Sequence, residues 1–337
     1  MDIKSNLIEL SKLSAIGTVD SAAKKAAEIM NEYCPVTQIS NLSYVGEIKG
    51  ESDYTLLLDA HIDEVGFIVT HISEDGFLTV GKCGGIDLRH LPASPVIIHG
   101  KEMVAGVFAS IPPHLSEGEE TPDSITDYKI DTMLGAKAKE IISVGDFVTY
   151  KVTPSELLGS RISGKSLDNR ASVCALIEIA RRLKGKNLPV SLKLLMSDAE
   201  ELGLRGATTA AYGIEPDEAV VIDVSFGNGP DVSQYECGNL GEGAMLGISP
   251  VLCRDISDKL ISISKENKLK YQTEVMGGRT STNADVISVS KCGVKTGLIS
   301  IPLRNMHTPN EVVDLEDIKS VCDILEKYIM SGGVKND

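Results

Sequence analysis

Three short apolar runs in this chain each lead straight into acidic residues. They are 54–59 (YTLLLD), 192–196 (LKLLM, followed by SDAEE) and 218–223 (EAVVID). A mostly apolar run without strict alternation reads as a strand buried on both faces, in a parallel or mixed sheet under helices. In open α/β sheets, ligands gather outside the carboxyl ends of the strands. Amphipathic stretches supply the covering helices. Residues 4–33 read as two helices split at 16–20, with Leu7, Leu10, Leu13, Ala23, Ala26, Ala27 and Met30 on one face. Further helices are expected over 168–183, 204–212, 257–267 and 313–330, with strands at 271–275 and 295–300.

Between 65 and 150 the texture changes. Short alternating strands (66–72, 77–81, 95–99, 103–110, 146–150) are punctuated by Gly and Pro, with no long helix among them. That spacing suggests a small barrel, with 111–135 as a polar, acidic exposed loop. The expected architecture is therefore α/β: a mixed sheet flanked by helices, with an inserted β-barrel. Residues 1–65 and 157–337 would form one discontinuous domain, and 66–156 the insertion.

Composition narrows the function. With 337 residues and a net charge of −15, the chain has no basic cluster to neutralise phosphates, which disfavours nucleic acid as a partner. No apolar run approaches the length that crosses a bilayer, and the N-terminus reads as a helix rather than a secretory signal. Seven cysteines lie scattered with no CxxC pair, as expected of reduced thiols in a cytosol.

The sharpest local feature is Glu200-Glu201, broken at Gly203. Adjacent side chains on an ordered backbone point in different directions, so one carboxylate can bind a metal ion while the other faces a water as general base. Other candidate ligands sit at comparable places: His61 with Asp63, Asp168, Asp223 and His307. In extended backbone His61 and Asp63 share a face, so Asp63 can accept the second ring N–H of a metal-bound His61. Each residue also has an ordinary reading alone: an acidic turn, a polar strand end, a helix N-cap at Asp168, a loop histidine at 307. Most of them fall at one edge of the expected sheet. Two His, two Asp and a Glu form a nitrogen and oxygen donor set suited to zinc, cobalt or manganese.

The ordered segments HIDEVGF (61–67), KSLDNRA (165–171), SDAEELGLRGA (197–207), VIDV (221–224) and ISIPLRNMHTPNEVV (299–313) resemble the M42 family of dinuclear metallo-aminopeptidases. IPPHL (111–115) resembles a family segment within the insertion. The resemblance implies a zinc-exopeptidase-type domain and a PDZ-like barrel used for dimerisation. It also implies a cytosolic, self-compartmentalising homo-oligomer, up to a dodecamer, that acts on short peptides. It assigns His61 and Asp223 to one divalent ion, Glu201 and His307 to a second, and Asp168 to both. It makes Glu200 the general base and Asp63 the partner of His61. Three departures stand out: Asn283 where Asp is frequent, Asn305 where an aromatic is common, and a short 129–146 segment. The preferred N-terminal residue stays open. So do the alternatives of another dinuclear metal amidohydrolase (a deacylase or dipeptidase) and of a non-catalytic assembly subunit with a vestigial site. A glycosidase would need two carboxylates free to flank a sugar.

Overall fold

The computed structural model describes residues 2–112, 114, 124–230 and 232–334. The helices are α1 (Ile3–Lys12), α2 (Ser21–Asn31), α3 (Ala138–Ile141), α4 (Leu167–Leu183), α5 (Arg205–Ile214), α6 (Arg254–Glu266), α7 (Ala284–Ile287) and α8 (Leu315–Met330). The strands before the barrel are β1 (Val36–Gln38), β2 (Tyr44–Ile48) and β3 (Thr55–His61). Those of the barrel are β4 (Gly66–Ile72), β5 (Leu78–Cys83), β6 (Pro95–His99), β7 (Met103–Phe108), β8 (Ile130–Asp131) and β9 (Phe147–Tyr150). After it come β10 (Ser155–Glu156), β11 (Arg161–Gly164), β12 (Ser191–Ser197), β13 (Glu218–Phe226), β14 (Ala244–Ile248), β15 (Tyr271–Val275), β16 (Lys295–Arg304) and β17 (Glu311–Asp314).

Among the described residues, one mixed sheet runs β1-β2-β12-β3-β13-β16-β17-β11-β10, with β14 joining β16 to β15. Its centre, β12-β3-β13-β16, is parallel. Alternation along these strands separates two cores. Leu56, Leu58, Ala60, Val220, Ile222 and Ile299 pack beneath α1, α2, α4 and α8. Leu57, Leu195, Val221 and Leu298 pack beneath α5 and α7. Both faces are covered, which is why these strands read as unbroken apolar runs.

Strands β4-β5-β8-β7-β6-β9 close into a barrel. Phe67 anchors its interior, edge-on to Phe108 at 5.0 Å and to Tyr150 at 5.6 Å between ring centroids. Each such buried ring stabilises the barrel by about 2–3 kcal/mol. Tyr128 and Ile130 also belong to this core, so the end of the 111–135 stretch is not an exposed loop. Of the remainder of that stretch, Pro113 and residues 115–123, and with them two positions of IPPHL, lie outside the described residues.

The last helix begins later than the apolar periodicity suggested. Residues 311–314 form β17, paired to β11 and β16, because β-branched Val312 and Val313 fit a pleated surface. Asp314 then starts α8, its side chain accepting the Glu316 N–H at 3.1 Å. β13 and β16 extend past Asp223 and Ser300, α6 starts at Arg254, and β14 and α7 had no clear period in the sequence.

Candidate metal centre

Alternation places the site. Leu57, Leu195, Val221 and Leu298 face α5 and α7, so Asp59 and His61, Ser197, Asp223 and Ser300 face the same way. They stand further along the strands, at the carboxyl edge of the parallel segment. Asp168 enters from the first turn of α4, where its backbone and that of Asn169 are not helical. It does not serve as an N-cap. His307 enters from the link between β16 and β17.

The carboxylate of Asp168 lies between the two histidines. Its Oδ1 is 3.0 Å from His61 Nε2 and its Oδ2 is 3.3 Å from His307 Nε2. Asp223 Oδ1 approaches His61 Nε2 at 3.7 Å, and Glu201 Oε1 approaches His307 Nε2 at 3.1 Å. His61, Asp168 and Glu201 each offer one donor atom within 4.8 Å of the others. All seven residues singled out in the sequence meet here. His61 Nδ1 lies 3.2 Å from the Asp63 carbonyl and 3.4 Å from Asp63 Oδ1. Asp63 does more than orient this ring: Oδ1 accepts the Glu200 N–H at 3.0 Å and Oδ2 the Glu201 N–H at 3.3 Å. It thus holds the Glu-Glu turn against β3.

The charges are far from their ordinary balance. Burial pushes Asp223 well above the carboxylate range; His61 opposes this, while Glu200 and Asp168 add to it. Burial likewise lifts Glu200 to about 7, against His61 and with Glu201, Asp168 and Asp63. Burial would lower His307, but Asp168 and Glu201 raise it to about 11. His61 is raised for the same reason, by Asp168 and Asp63 against burial. Burial raises Asp168, yet the two histidines hold it below its usual range. The centre is a desolvated cluster in which carboxyl groups outnumber imidazoles, and its two Nε2 atoms turn inward. Nitrogen and oxygen donors without a thiolate fit a borderline or hard divalent cation.

Several buried groups close in the chain to the candidate ligands hold this geometry. Glu311, 2 % exposed, accepts the backbone N–H of Asp168 at 3.1 Å and of His307 at 2.8 Å. Its hint in the sequence was a carboxylate leading an apolar run, four residues after His307. Glu64 accepts from Lys165 at 2.6 Å, Arg170 at 3.5 Å, the Ala15 N–H at 3.0 Å and the Ser166 hydroxyl. Burial alone would raise Glu64, but the two cations lower it below its usual range. Lys165 also donates to Leu13 O at 2.8 Å; burial lowers its proton affinity, and Glu64 acts the other way.

Asn283 donates to Asp59 Oδ2 at 2.8 Å and to Ser197 Oγ at 2.9 Å. An amide suits this place because burial lifts Asp59 to about 6, with Ser197 and Asn283 lowering it. Asn305 has φ 57°, a left-handed conformation that Asn tolerates far better than an aromatic residue. Its side chain donates to Asn310 O at 3.1 Å.

The comparisons identify the family. The family model for M42 glutamyl aminopeptidase matches residues 43–324. The chain belongs to the M42 aminopeptidase family. This M42 chain is 29% identical over 313 residues to a lysyl aminopeptidase of Pyrococcus furiosus, covering 90% of this chain and 89% of the relative. An aminopeptidase from the archaeon Desulfurococcus kamchatkensis superposes with a TM-score of 0.91 at 30% identity, over 98% and 94% of the two chains. The TET1 peptidase of Pyrococcus horikoshii, described as assembling into a tetrahedron or a large octahedral shell, gives 0.85 at 27% identity over 98% and 99%. The M42 fold of mixed sheet and inserted barrel is thus established for this hydrolase. The family is metal-dependent, and the cluster at His61, Asp168 and Glu201 offers a place for an ion.

Proposed function

We propose that this M42 aminopeptidase removes the N-terminal residue of short peptides with two divalent ions, zinc, cobalt or manganese. His61 and Asp223 would hold one, Glu201 and His307 the other, and Asp168 both. The observation that carries this reading is the position of Asp168, whose two oxygens face two different histidine nitrogens. When bound, a pair of such ions polarises the scissile carbonyl and acidifies water.

The chain's own residues supply the proton traffic. Glu200 makes no hydrogen bond to its side chain among the described residues, and its backbone is fixed by Asp63. An affinity for protons lifted to about 7 suits a group that takes a proton from water and passes it to the leaving amine near neutral pH. Asp63 keeps His61 oriented and Glu200 aimed. The acidic surroundings favour a substrate carrying a free amino group over a blocked one.

The 66–156 segment, as a domain separate from 1–65 and 157–337, would mediate self-association. The shells formed by the Pyrococcus horikoshii peptidase support a homo-oligomer here, up to a dodecamer. A cytosolic address fits the seven free thiols. The test is a panel of aminoacyl anilides after chelation and re-addition of each metal. Activity restored by metal, and absent on N-acetylated substrates, is expected. Release of acetate from the N-acetylated substrates, with the anilide bond kept, would favour a deacylase.

A further inference from the structure

Besides Asp59, the sheet face that carries the metal centre holds another carboxylate outside the seven candidate residues. Glu274, on β15, is half-buried. Ser300 Oγ donates to its Oε2 at 2.9 Å, and Ser225 Oγ donates to its Oε1. Ser300 is opposite Asp223 in the parallel register of β13 and β16, and Ser225 is two residues beyond Asp223 on the same face. With strands about 4.8 Å apart and about 3.3 Å of rise per residue, both serines stand roughly 5–7 Å from Asp223. Glu274 spans them beside the centre.

No described Lys or Arg pairs with Glu274: burial raises its proton affinity and only the two serine hydroxyls act the other way. Both hydroxyl protons are committed to the carboxylate. What the trio still offers is therefore acceptor lone pairs alone, on Glu274 and both serines. An ammonium group, with three donors and a positive charge, matches that inventory. A neutral hydroxyl would leave the charge uncompensated, and an anion would be repelled.

We infer that Glu274, Ser225 and Ser300 form a subsite for an ammonium group of the substrate, next to the metal centre. The inference rests on the aminopeptidase reading above. Two parts of a peptide carry this chemistry: the free α-amino group that every substrate presents, and the side-chain ammonium of an N-terminal Lys.

The experiment compares wild type with Glu274→Gln, both metal-loaded and full-length, on leucyl, lysyl and glutamyl anilides. Thermal midpoint and metal content are measured alongside. Glutamine keeps the size and removes the charge. A KM raised by about 10-fold or more, the scale of a lost charge-assisted hydrogen bond, with kcat and metal content kept, is expected. A rise on all three substrates assigns the α-amino group; a rise on the lysyl substrate alone assigns the side chain. Unchanged KM throughout, or a loss that follows metal content or thermal midpoint, overturns the subsite. Ser225→Ala, which keeps the charge and removes one anchor, should give the same substrate pattern at a few-fold. If Glu274→Gln does not fold, an unchanged Ser225→Ala overturns the inference. A wild-type protein that cleaves none of the anilides sinks the aminopeptidase reading itself; one that cleaves them indifferently to both variants sinks only the subsite.

Discussion

Glu311 Oε2 accepts the backbone N–H of Asp168 at 3.1 Å, while its Oε1 accepts that of His307 at 2.8 Å. One buried carboxylate thus sets the spacing between α4 and the β16–β17 link, and with it the distance between two candidate ligands. Glu311→Gln can satisfy only one of these two donors and places an amide against the other. A buried donor without its acceptor costs about 1–3 kcal/mol. The expected result is a lower thermal midpoint together with metal affinity weakened about 10–100-fold, the usual scale for losing a group that orients a ligand. Equilibrium dialysis against zinc, with scanning calorimetry of the apo protein, measures both.

Glu64 provides a pH test of stability. Its proton affinity in the folded state lies below the ordinary value of 4.5 because Lys165 and Arg170 outweigh burial. Its contribution is therefore fully present above that pH and is lost as pH falls through the folded-state value. Glu64→Gln leaves two buried cations without their counter-charge, at a cost of about 3–5 kcal/mol near neutral pH. Urea denaturation from pH 7 down to pH 3 should show the gap between wild type and variant closing on the acid side. A gap that widened with acid would contradict the assignment.

Asn283→Asp restores the residue more frequent in the family and places a second acid against Asp59, already lifted to about 6 by burial. The new pair would have to share a proton, so its folded-state affinity for that proton rises above the unfolded value. Stability is then retained at low pH and lost as pH rises through the raised value, by about 1–3 kcal/mol. Thermal midpoints of the apo proteins at pH 5 and pH 8 would reveal it: near-equal at the first, lower for the variant at the second.

What could be read from the sequence follows a physical division. Strands β3, β12 and β13 were legible because burial on both faces forces continuous apolar runs. The ligand candidates were legible because His and carboxylates at the ends of such runs are uncommon unless used. Glu311, Glu64 and Glu274 were not. Each acts on partners far along the chain, such as Asp168 at 143 residues from Glu311, and no local spacing encodes that meeting. The end of β17, Val313 and Asp314, merges with the α8 pattern because apolar residues recur throughout 313–330. Only pairing with β11 and β16 decides where strand ends and helix begins. Asn305 became intelligible once its positive φ was known.

Assembly gives another test. If the 66–156 segment carries the contact between subunits, light scattering of the metal-loaded protein at micromolar concentration should report a multiple of the 36.0 kDa chain. Chelation should shift it to smaller species. A monomer with full activity would contradict that role for the barrel.

The adjacent glutamates bear on the central claim most directly. Glu200 and Glu201 are chemically identical and hang from the same Asp63 carboxylate, so position alone separates their roles. Metal stoichiometry and turnover should be measured together for Glu200→Gln and Glu201→Gln. Glu200→Gln is predicted to keep two ions per chain while turnover falls by about 10²–10⁴-fold, the range for removing a general base. Glu201→Gln is predicted to lose one ion and to regain part of its activity in excess metal. If Glu200→Gln sheds metal and Glu201→Gln retains it, the two roles are exchanged and the proposed architecture of the site is wrong.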